Sequence, residues 1–276
     1  MRYGIIGVGG YVARKHLDAI QATGGDVVVA CDHHDTVGIL DSYSPRCRFH
    51  LHEDDEFFAD LDDVDCLVVL TPNARHVHDA LPALADSRHA IIEKPLGLTT
   101  RMVEQLLPHG DRVHPVMQLR DHPAVVEHIA RPLHARGSRV EIRYTVHRGP
   151  WYQSSWKSRD AESGGIMANI GIHLFDLCIY LFGEVATWGV EKLAATNSIG
   201  WLEMACGTSV SWQLSTDAEV DRRVISIDRG RWRLDLSDIA RLHLHRRVYE
   251  RQLAGTSWRV ADAMRAVRLV EALRGG

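Results

Sequence analysis

The sequence is poor in features that mark several other classes of protein. Its cysteines are odd in number, widely spaced and without a Cys-x-x-Cys pair: Cys31, Cys47, Cys66, Cys178 and Cys206. This pattern does not indicate a zinc knuckle, a dithiol redox motif or a disulfide framework, and it fits a reducing cytoplasm best.

Long apolar segments are also missing. No apolar run reaches the roughly eighteen residues that a bilayer span requires, and the N-terminus lacks the charged region and cleavage site of a secretion signal. The 32 Lys and Arg against 36 Asp and Glu give a net charge of −4, which offers no basic surface for nucleic acid or an anionic membrane. We therefore expect neither export nor membrane anchoring, and no nucleic-acid partner.

What the sequence does contain is a series of short apolar runs up to about residue 120. They are continuous, like parallel strands covered on both faces, and lie at 3–6, 27–31, 66–70, 90–93 and 116–119. Between the first two runs, Ala13, Leu17 and Ile20 recur at helical spacing. This alternation predicts a βαβ series over residues 1–120, an α/β Rossmann-like domain.

After residue 121 the pattern becomes that of a half-solvated sheet. Val140, Ile142 and Tyr144 alternate with charged residues. Further strands are predicted at 188–195, 201–215 and 222–236, with a hairpin turn at 228–230, and a helix is predicted after Ser257. We predict an α+β domain over 121–276 with an open, mostly antiparallel sheet, which gives a two-domain chain of class α/β plus α+β.

The first run is followed by a glycine-rich turn that opens a helix. Gly7, Gly10 and Ala13 fit a G-x-x-G-x-x-A spacing, in which glycine lets the backbone approach a pyrophosphate at the helix N-terminus. A glycine turn without a ligand is the alternative. Asp32, at the end of the second run, favours the dinucleotide, because a carboxylate there can bind ribose hydroxyls and repels a 2′-phosphate. The sequence therefore favours NAD over NADP, unless Asp32 merely caps the loop before Thr36.

Two further segments carry chemistry. Lys94 follows the run at 90–93, where open α/β sheets present their ligand crevice; the alternative is a surface lysine before a turn proline. On a helix, Asn169, His173 and Asp176 would share one face. His173 could accept a hydroxyl proton as hydride leaves the same carbon, or it could be a core histidine that Asp176 satisfies.

These motifs together resemble the Gfo/Idh/MocA oxidoreductase family over nearly the whole chain. The segments that carry the resemblance are GVGGYVARKH, CDHHDTVGILDSYSP, TPNARH, EKPLGLT, QLRDH, GPWYQSSWK, NIGIHLFD and LHRRVYERQLAG. Within the family the chain is most similar to the UDP-N-acetylglucosaminuronate 3-dehydrogenases of the WlbA/WbpB type. The resemblance implies a Rossmann domain, a sheet domain that assembles homotetramers or homodimers, and a Lys94–Pro95 bond in the cis form.

The resemblance also implies roles for individual residues. Lys94, His173 and Asn169 are expected at the reacting carbinol, and Asn169 stands where many other branches have aspartate. The expected cofactor-binding residues are Gly7, Gly9, Gly10, Tyr11, Val12, Asp32, Thr71, Pro72, Asn73, His76, Glu93, Lys94 and Gln118. The expected substrate-binding residues are Arg120, Arg148, Trp151, Tyr152, Trp156, Lys157, Asn169 and His173. Relatives of this type are usually longer, around 99–112 and between Ala218 and Asp221.

The tract 148–157 joins aromatic rings to cations, which suits a sugar stacked on a ring and an anionic group held by Lys or Arg. Its alternative is a structural loop whose tryptophans fill a domain interface. Seventeen histidines raise the question of a metal, with pairs at His50 and His52, His76 and His78, and His243 and His245. We expect no metal, because the pairs lie on dissimilar segments without a thiolate or carboxylate cluster, and we expect the paired histidines other than His76 on solvated faces.

The hypothesis is NAD-dependent oxidation of a secondary sugar hydroxyl, the C3 hydroxyl of a UDP-N-acetylated uronate. The alternatives are a dehydrogenase of another sugar, a polyol or a nucleoside, and a non-catalytic NAD-binding sensor.

Overall fold

The computed structural model describes residues 1–34, 37–130, 137–217, 219, 221–239 and 241–275 of the chain. The alternative for Asp32 was that it caps the loop before Thr36. Thr36 lies outside the described residues, and so does Ala218. The chain divides into two compact units: the first comprises Met1–Gly97, Arg101–Val116 and His245–Ala263, and the second comprises Leu98–Thr100, Met117–Leu244 and Met264–Gly276.

The strands and helices follow one another along the chain. The strands are β1 (Arg2–Ile6), β2 (Asp26–Cys31), β3 (Arg48–His50), β4 (Cys66–Val69), β5 (His89–Ile92), β6 (Val113–Pro115), β7 (Arg139–Thr145), β8 (Val185–Leu193), β9 (Asn197–Met204), β10 (Ser209–Ser215), β11 (Arg222–Ile227) and β12 (Trp232–Asp235). The helices are α1 (Ala13–Ala22), α2 (Val37–Tyr43), α3 (Asp55–Asp60), α4 (His76–Ala85), α5 (Thr100–Glu104), α6 (Pro123–Ala130), α7 (Trp151–Ser154), α8 (Asp160–Ser163), α9 (Ile172–Phe182), α10 (Leu244–Leu253) and α11 (Val260–Gly275).

The first unit is built on a six-stranded parallel sheet in the order β3-β2-β1-β4-β5-β6. This is the strand order of a doubly wound dinucleotide-binding sheet, whose ligands bind at the carboxyl ends of the strands where the order reverses. The reversal lies between β1 and β4. The loops after β1, β2, β4 and β5 therefore carry the Gly7 turn, Asp32, the TPN segment and Lys94 at one sheet edge.

Four of the five strands predicted for this domain are confirmed. The prediction at 116–119 is wrong: the sixth strand ends at Pro115, and Gln118–Asp121 is a 3₁₀ turn. The run is apolar because Val116 and Leu119 are buried, and burial alone does not distinguish a strand from a buried turn. Strand β3 was not predicted, because its three residues include one hydrophobic side chain.

The C-terminal part of the chain returns to the first unit through α10. Val248 and Tyr249 belong to the same buried core as Tyr3 and Ile5, and the rings of Tyr3 and Tyr249 meet edge to face at 5.4 Å. The predicted domain boundary at 120/121 lies near 116/117, where the chain passes from the first unit to the second. The return of the chain to the first unit at His245 was not predicted.

The second unit is built on a mostly antiparallel sheet in the order β12-β11-β7-β10-β9-β8, with β7 and β10 parallel. The predicted alternation in β7 is confirmed by its burial pattern. The run at 201–215 is two strands that reverse at Gly207, whose φ is +85°. The predicted hairpin at 228–230 is confirmed, with positive φ at all three residues.

One face of this sheet is covered by α9. The rings of Phe175 and Trp212 meet edge to face at 5.3 Å, and a Cβ on Gly171 would come within 2.8 Å of Leu214. By length and composition the stretch Asp160–Phe182 could cross a membrane, which departs from the expectation that no segment is long enough. Most of it is buried in the protein, as in the core helix of a globular domain.

Candidate active-site residues

The glycine turn after β1 has the geometry of a pyrophosphate cradle. Gly7 has a φ of +88°, and a Cβ there would lie 2.8 Å from the carbonyl carbon of Leu70. The N–H of Gly10 donates to the Gly7 carbonyl at 3.1 Å, and α1 then begins at Ala13. The side chain of Val12, the residue before α1, makes no capping hydrogen bond. Amide groups at such a helix N-terminus can meet an anion.

Asp32 lies beside this turn. One carboxylate oxygen accepts the N–H of Gly9 at 2.8 Å, and the other accepts the N–H of His34 at 3.1 Å. The carboxylate therefore stands next to the glycine turn at the end of β2, where the ribose of a dinucleotide would lie.

The loop after β4 is tied to the turn after β5 by His76. Its Nδ1 is 2.6 Å from the Pro95 carbonyl oxygen and its Nε2 is 2.9 Å from the Thr71 carbonyl oxygen. Burial lowers the pKa of His76, although these carbonyls and nearby carboxylates oppose the shift. His76 thus positions two loops of the sheet edge.

The hydroxyl of Thr71 completes the fit to a dinucleotide. Its Oγ1 is buried and has no hydrogen-bond partner among the described residues. A buried hydroxyl of this kind normally has a partner, so its position fits a polar group of a ligand. The Gly7 cradle, the Asp32 carboxylate and this hydroxyl suit NAD.

The Lys94–Pro95 bond is cis, as the resemblance implies. The preceding residue, Glu93, is buried, and its Oε1 lies 2.9 Å from His16 Nε2 and 3.3 Å from His245 Nε2. Burial would raise the pKa of the Glu93 carboxyl, but the two histidine hydrogen bonds outweigh it and hold that pKa well below its usual range. Burial lowers the pKa of His245, against the opposing effect of Glu93.

His245 corrects two sequence expectations. It is buried rather than solvated, and it contacts a carboxylate, so one of the six paired histidines does belong to a cluster with an acidic group. The spacing of His243 and His245 was interpreted as that of a strand, in which both side chains face the same way. His245 lies instead in α10, where residues three or four positions apart are neighbours. His16, His245 and Tyr249 were not among the predicted site residues; the one sequence signal was the i, i+4 spacing of His245 and Tyr249.

In the second unit, Asn169 lies in a π-helical turn, Met167–Gly171, that precedes α9. Such turns widen a helix locally and often occur at functional sites. Asn169 is buried, and its Nδ2 donates to the Tyr152 hydroxyl at 3.3 Å. The structure thus brings together two of the predicted substrate-binding residues.

His173 and Asp176 follow in α9, where His173 is partly exposed. The Asp176 carboxylate accepts two hydrogen bonds from the buried Arg120 guanidinium, at 2.7 and 3.0 Å, and Arg120 also lies 4.6 Å from the centre of the Tyr180 ring. Gln118 is buried in the 3₁₀ turn before Arg120, and its Oε1 has no partner among the residues described.

The aromatic and cationic side chains of the tract 148–157 form one cluster. The Arg148 guanidinium lies 5.8 Å from the Trp151 ring centre and 5.7 Å from that of Tyr152. The Lys157 ammonium lies 5.8 Å from Trp151 and 5.6 Å from Trp156. Trp151 is half exposed, so this cluster offers a ring face to solvent, with the partly buried Arg148 and Lys157 beside it.

Comparison with known proteins agrees with this geometry. Residues 1–120 match the model of the Gfo/Idh/MocA oxidoreductase family with an NAD-binding Rossmann fold, and residues 136–227 match the Gfo/Idh/MocA C-terminal domain. Among solved structures, the chain is 33% identical to the WlbA (WbpB) dehydrogenase from Thermus thermophilus in complex with NAD and UDP-GlcNAcA. The match has a TM-score of 0.91 and covers 99% of this chain and 94% of that one.

Among curated proteins, the chain is 24% identical over 206 residues to the 1,5-anhydro-D-fructose reductase of Ensifer adhaerens, which covers 72% of this chain and 61% of the reductase. Another relative is the D-glucoside 3-dehydrogenase of Escherichia coli, 25% identical over 159 residues that cover 55% of this chain and 45% of that enzyme. The chain thus spans about half the length of such relatives. The two family matches and the Thermus structure agree on one assignment: the chain belongs to the Gfo/Idh/MocA family of oxidoreductases, and its N-terminal domain is an NAD-binding Rossmann fold.

Proposed function

We propose that the protein is an NAD-dependent dehydrogenase that oxidises a secondary hydroxyl of a nucleotide sugar, the C3 hydroxyl of a UDP-linked N-acetylated uronate. The observation that carries this proposal is the match over 99% of the chain to the Thermus WlbA structure, which contains NAD and UDP-GlcNAcA. The Gly7 cradle and the Asp32 carboxylate support the choice of NAD.

We assign the proton transfer to residues of this chain. When bound, NAD supplies the acceptor for the hydride that leaves the carbinol carbon. The His173 imidazole accepts the hydroxyl proton, the general-base task that histidine performs most often. The Lys94 ammonium donates a hydrogen bond to the carbinol oxygen as negative charge develops there. Asn169 cannot act as a carboxylate base, and it orients the sugar together with Tyr152.

The cluster of Arg148, Trp151 and Lys157 suits the rest of the substrate. A ring face can stack on the sugar, and the cations can hold a carboxylate or a diphosphate. Arg120 is bound to Asp176, so we assign it the task of fixing this face of α9 beside the substrate.

The test is NAD reduction at 340 nm with UDP-GlcNAcA, UDP-GlcNAc and free N-acetylglucosaminuronate. We expect turnover with the first and little with the free sugar. Lys94→Ala and His173→Gln should each lower kcat about 10²- to 10⁴-fold, whereas Lys192→Ala, an exposed lysine on β8, should not. Unchanged turnover in Lys94→Ala would refute the assigned roles.

The panel also separates the alternatives. Turnover with a polyol or another sugar would change the assigned substrate. NADH binding without turnover of any compound in the panel would favour a non-catalytic sensor. The Thermus enzyme has also been solved with NAD and alpha-ketoglutarate. Adding this 2-oxo acid tests whether NADH is reoxidised in place, because turnover would then continue beyond one equivalent.

We further propose that the protein forms a homo-oligomer, a tetramer or a dimer, through the second sheet. Trp188 and Trp201 on adjacent strands are each 36% exposed, and Leu193 is half exposed. The register pairs Trp188 with Leu202 and Gly189 with Trp201, so the two rings lie on opposite faces of the sheet, and Trp201 is the exposed ring on the face away from the buried Leu202. The free thiols of all five cysteines support a location in the reducing cytoplasm.

A further inference from the structure

A buried polar cluster surrounds Glu93, the residue that precedes Lys94 in the chain. It consists of His16 from α1, Glu93 from the end of β5, and His245 and Tyr249 from α10. His16 and Tyr249 are fully buried, and the other two are 6% exposed. All four belong to the first unit, although they come from the beginning, the middle and the end of the chain.

The polar side chains of this cluster contact Glu93 directly or through His16. His16 Nε2 and His245 Nε2 both point at Oε1, at 2.9 and 3.3 Å. The Tyr249 hydroxyl lies 2.8 Å from His16 Nδ1, and the other carboxylate oxygen of Glu93 accepts the main-chain N–H of Lys94 at 3.1 Å.

The protons can be placed consistently in this arrangement. We assign the Tyr249 hydroxyl as donor to Nδ1 of His16, and the N–H at Nε2 of that ring then donates to the carboxylate. His245 donates to the same oxygen. Glu93 is then an ionised carboxylate with three N–H donors, and a buried carboxylate is stable only when it is hydrogen-bonded in this way.

We propose that His16, His245 and Tyr249 are positioning residues for Lys94: they hold the Glu93 carboxylate, and this carboxylate fixes the main chain of Lys94 and so the direction of its ammonium. This inference rests on the proposed function for its catalytic consequence. The same side chains could also bind a metal, since one ligand atom of each of His16, Glu93 and His245 lies within 4.8 Å of the others. The hydrogen-bond geometry favours positioning, because the 2.9 Å contact and the Tyr249 donor already satisfy both nitrogens of His16.

The test compares His245→Leu, which removes a donor, with His245→Gln, which can keep an N–H at the position of Nε2. The matched control is Gln252→Leu on the same helix, because it removes the buried hydrogen bond that Gln252 accepts from the Tyr3 hydroxyl and leaves the hydrogen bonds to Glu93 in place. We expect His245→Leu to lower kcat at least 10-fold with KM changed less than 2-fold, His245→Gln to recover most of kcat, and Gln252→Leu to leave kcat unchanged.

A second measurement needs no substrate. The chain has four lysines, so protein labelled with [¹⁵N]lysine gives four backbone amide signals. The Lys94 amide donates to Glu93 and reports its protonation. In His245→Leu its titration should move to higher pH, since one of the bonds that hold the Glu93 pKa down is lost; in Gln252→Leu it should not move. If His245→Leu fails to fold, Tyr249→Phe, which keeps the ring, takes its place with a smaller shift in the same direction.

The outcomes separate the two proposals. If the wild-type protein reduces no NAD with any sugar, the proposed function fails, while the Lys94 signal still decides the positioning. The positioning proposal is overturned if His245→Leu and Gln252→Leu change kcat equally, or if the Lys94 titration does not move. One equivalent of metal in wild-type protein that is lost in His245→Leu also overturns it, in favour of a metal centre.

Discussion

At the scale of single residues, the choice of cofactor depends on Asp32. Its carboxylate holds the glycine turn through Gly9 and would face the 2′ position of a bound adenosine ribose. A 2′-phosphate at that position would meet a negative charge. The substitution Asp32→Asn separates the effect of the negative charge from the effect on the turn, because asparagine keeps an oxygen that accepts the Gly9 N–H and loses the charge.

We predict that Asp32→Asn shifts the ratio of kcat/KM for NAD and NADP roughly 10- to 100-fold toward NADP, or ~1.4–2.8 kcal/mol. The repulsion of the phosphate is lost, and a neutral amide is the weaker acceptor for ribose hydroxyls. Steady-state kinetics with both cofactors measure it. An unchanged ratio in a folded variant would mean that Asp32 serves the turn alone.

The sequence was informative about residues whose role is local. The Gly7 turn, Asp32 and the EKP segment each follow a predicted strand, so their place at the sheet edge could be predicted from the strand pattern. The contacts of Glu93 could not, because His16 and His245 are 77 and 152 positions away in the sequence. Periodicity shows which faces are buried but not which buried polar groups meet.

At the scale of elements, the close pairing of β8, β9 and β10 depends on Gly200. A Cβ there would lie 2.3 Å from the Gly189 carbonyl oxygen and 2.4 Å from the Trp212 ring. Neither neighbour can move easily, since one is backbone and the other is a buried ring.

We therefore predict that Gly200→Ala lowers the free energy of unfolding by ~1–3 kcal/mol, the usual cost of overpacking. Gly38→Ala is the matched control on α2: a Cβ there meets nothing within 4 Å, and alanine favours a helix. It should raise stability by up to ~1 kcal/mol. Chemical denaturation followed by tryptophan fluorescence checks both. Equal stability of the two variants would contradict the packing argument.

At the scale of the whole molecule, buried histidines set the response to acid. His114 contacts the Ser257 hydroxyl at 2.7 Å and the His89 ring nitrogen at 2.9 Å. Burial, followed by the charge of His89, lowers the pKa of His114 to about 4, and burial also lowers the pKa of His89. These rings are neutral in the folded protein and take up protons on unfolding as the pH falls below the ordinary histidine value.

The stability that the folded protein gains from keeping His114 neutral is complete above about pH 6.5 and is lost as the pH falls toward 4. For His114 alone we predict a loss of roughly 2 kcal/mol between pH 7 and pH 5. Denaturation midpoints across this range measure it, and His114→Gln should flatten the dependence. A pH profile that is the same in both proteins would contradict the assignment.

Assembly also belongs to this scale. We predict that Trp201→Glu lowers the oligomeric mass seen by native mass spectrometry or light scattering, because it places a charge on the sheet face that exposes Trp201. Gln21→Glu, at an exposed position of α1 in the first unit, is the control for added charge. A wild-type monomer, or an oligomer that survives Trp201→Glu, would refute this interface.

The sequence predicted both sheets of the fold, because continuous apolar runs and strict alternation are strong signals for their two kinds of strand. It did not predict that β9 and β10 are separate strands, since Gly207 reverses a run that alternates on both sides of it. It also missed the return of α10. A helical pattern indicates a buried face, but the partner of that face is a property of the folded chain.

This return has a consequence for biosynthesis. The ribosome releases the parallel sheet early, but Tyr249 and His245 emerge only after nearly nine-tenths of the chain has been made. Until then Tyr3 lacks the ring that packs on it, and the Glu93 carboxylate lacks one of its donors. The nascent Rossmann half therefore stays incomplete until α10 has been made, and a gene truncated after the parallel strands would encode a dinucleotide-binding half with an open core.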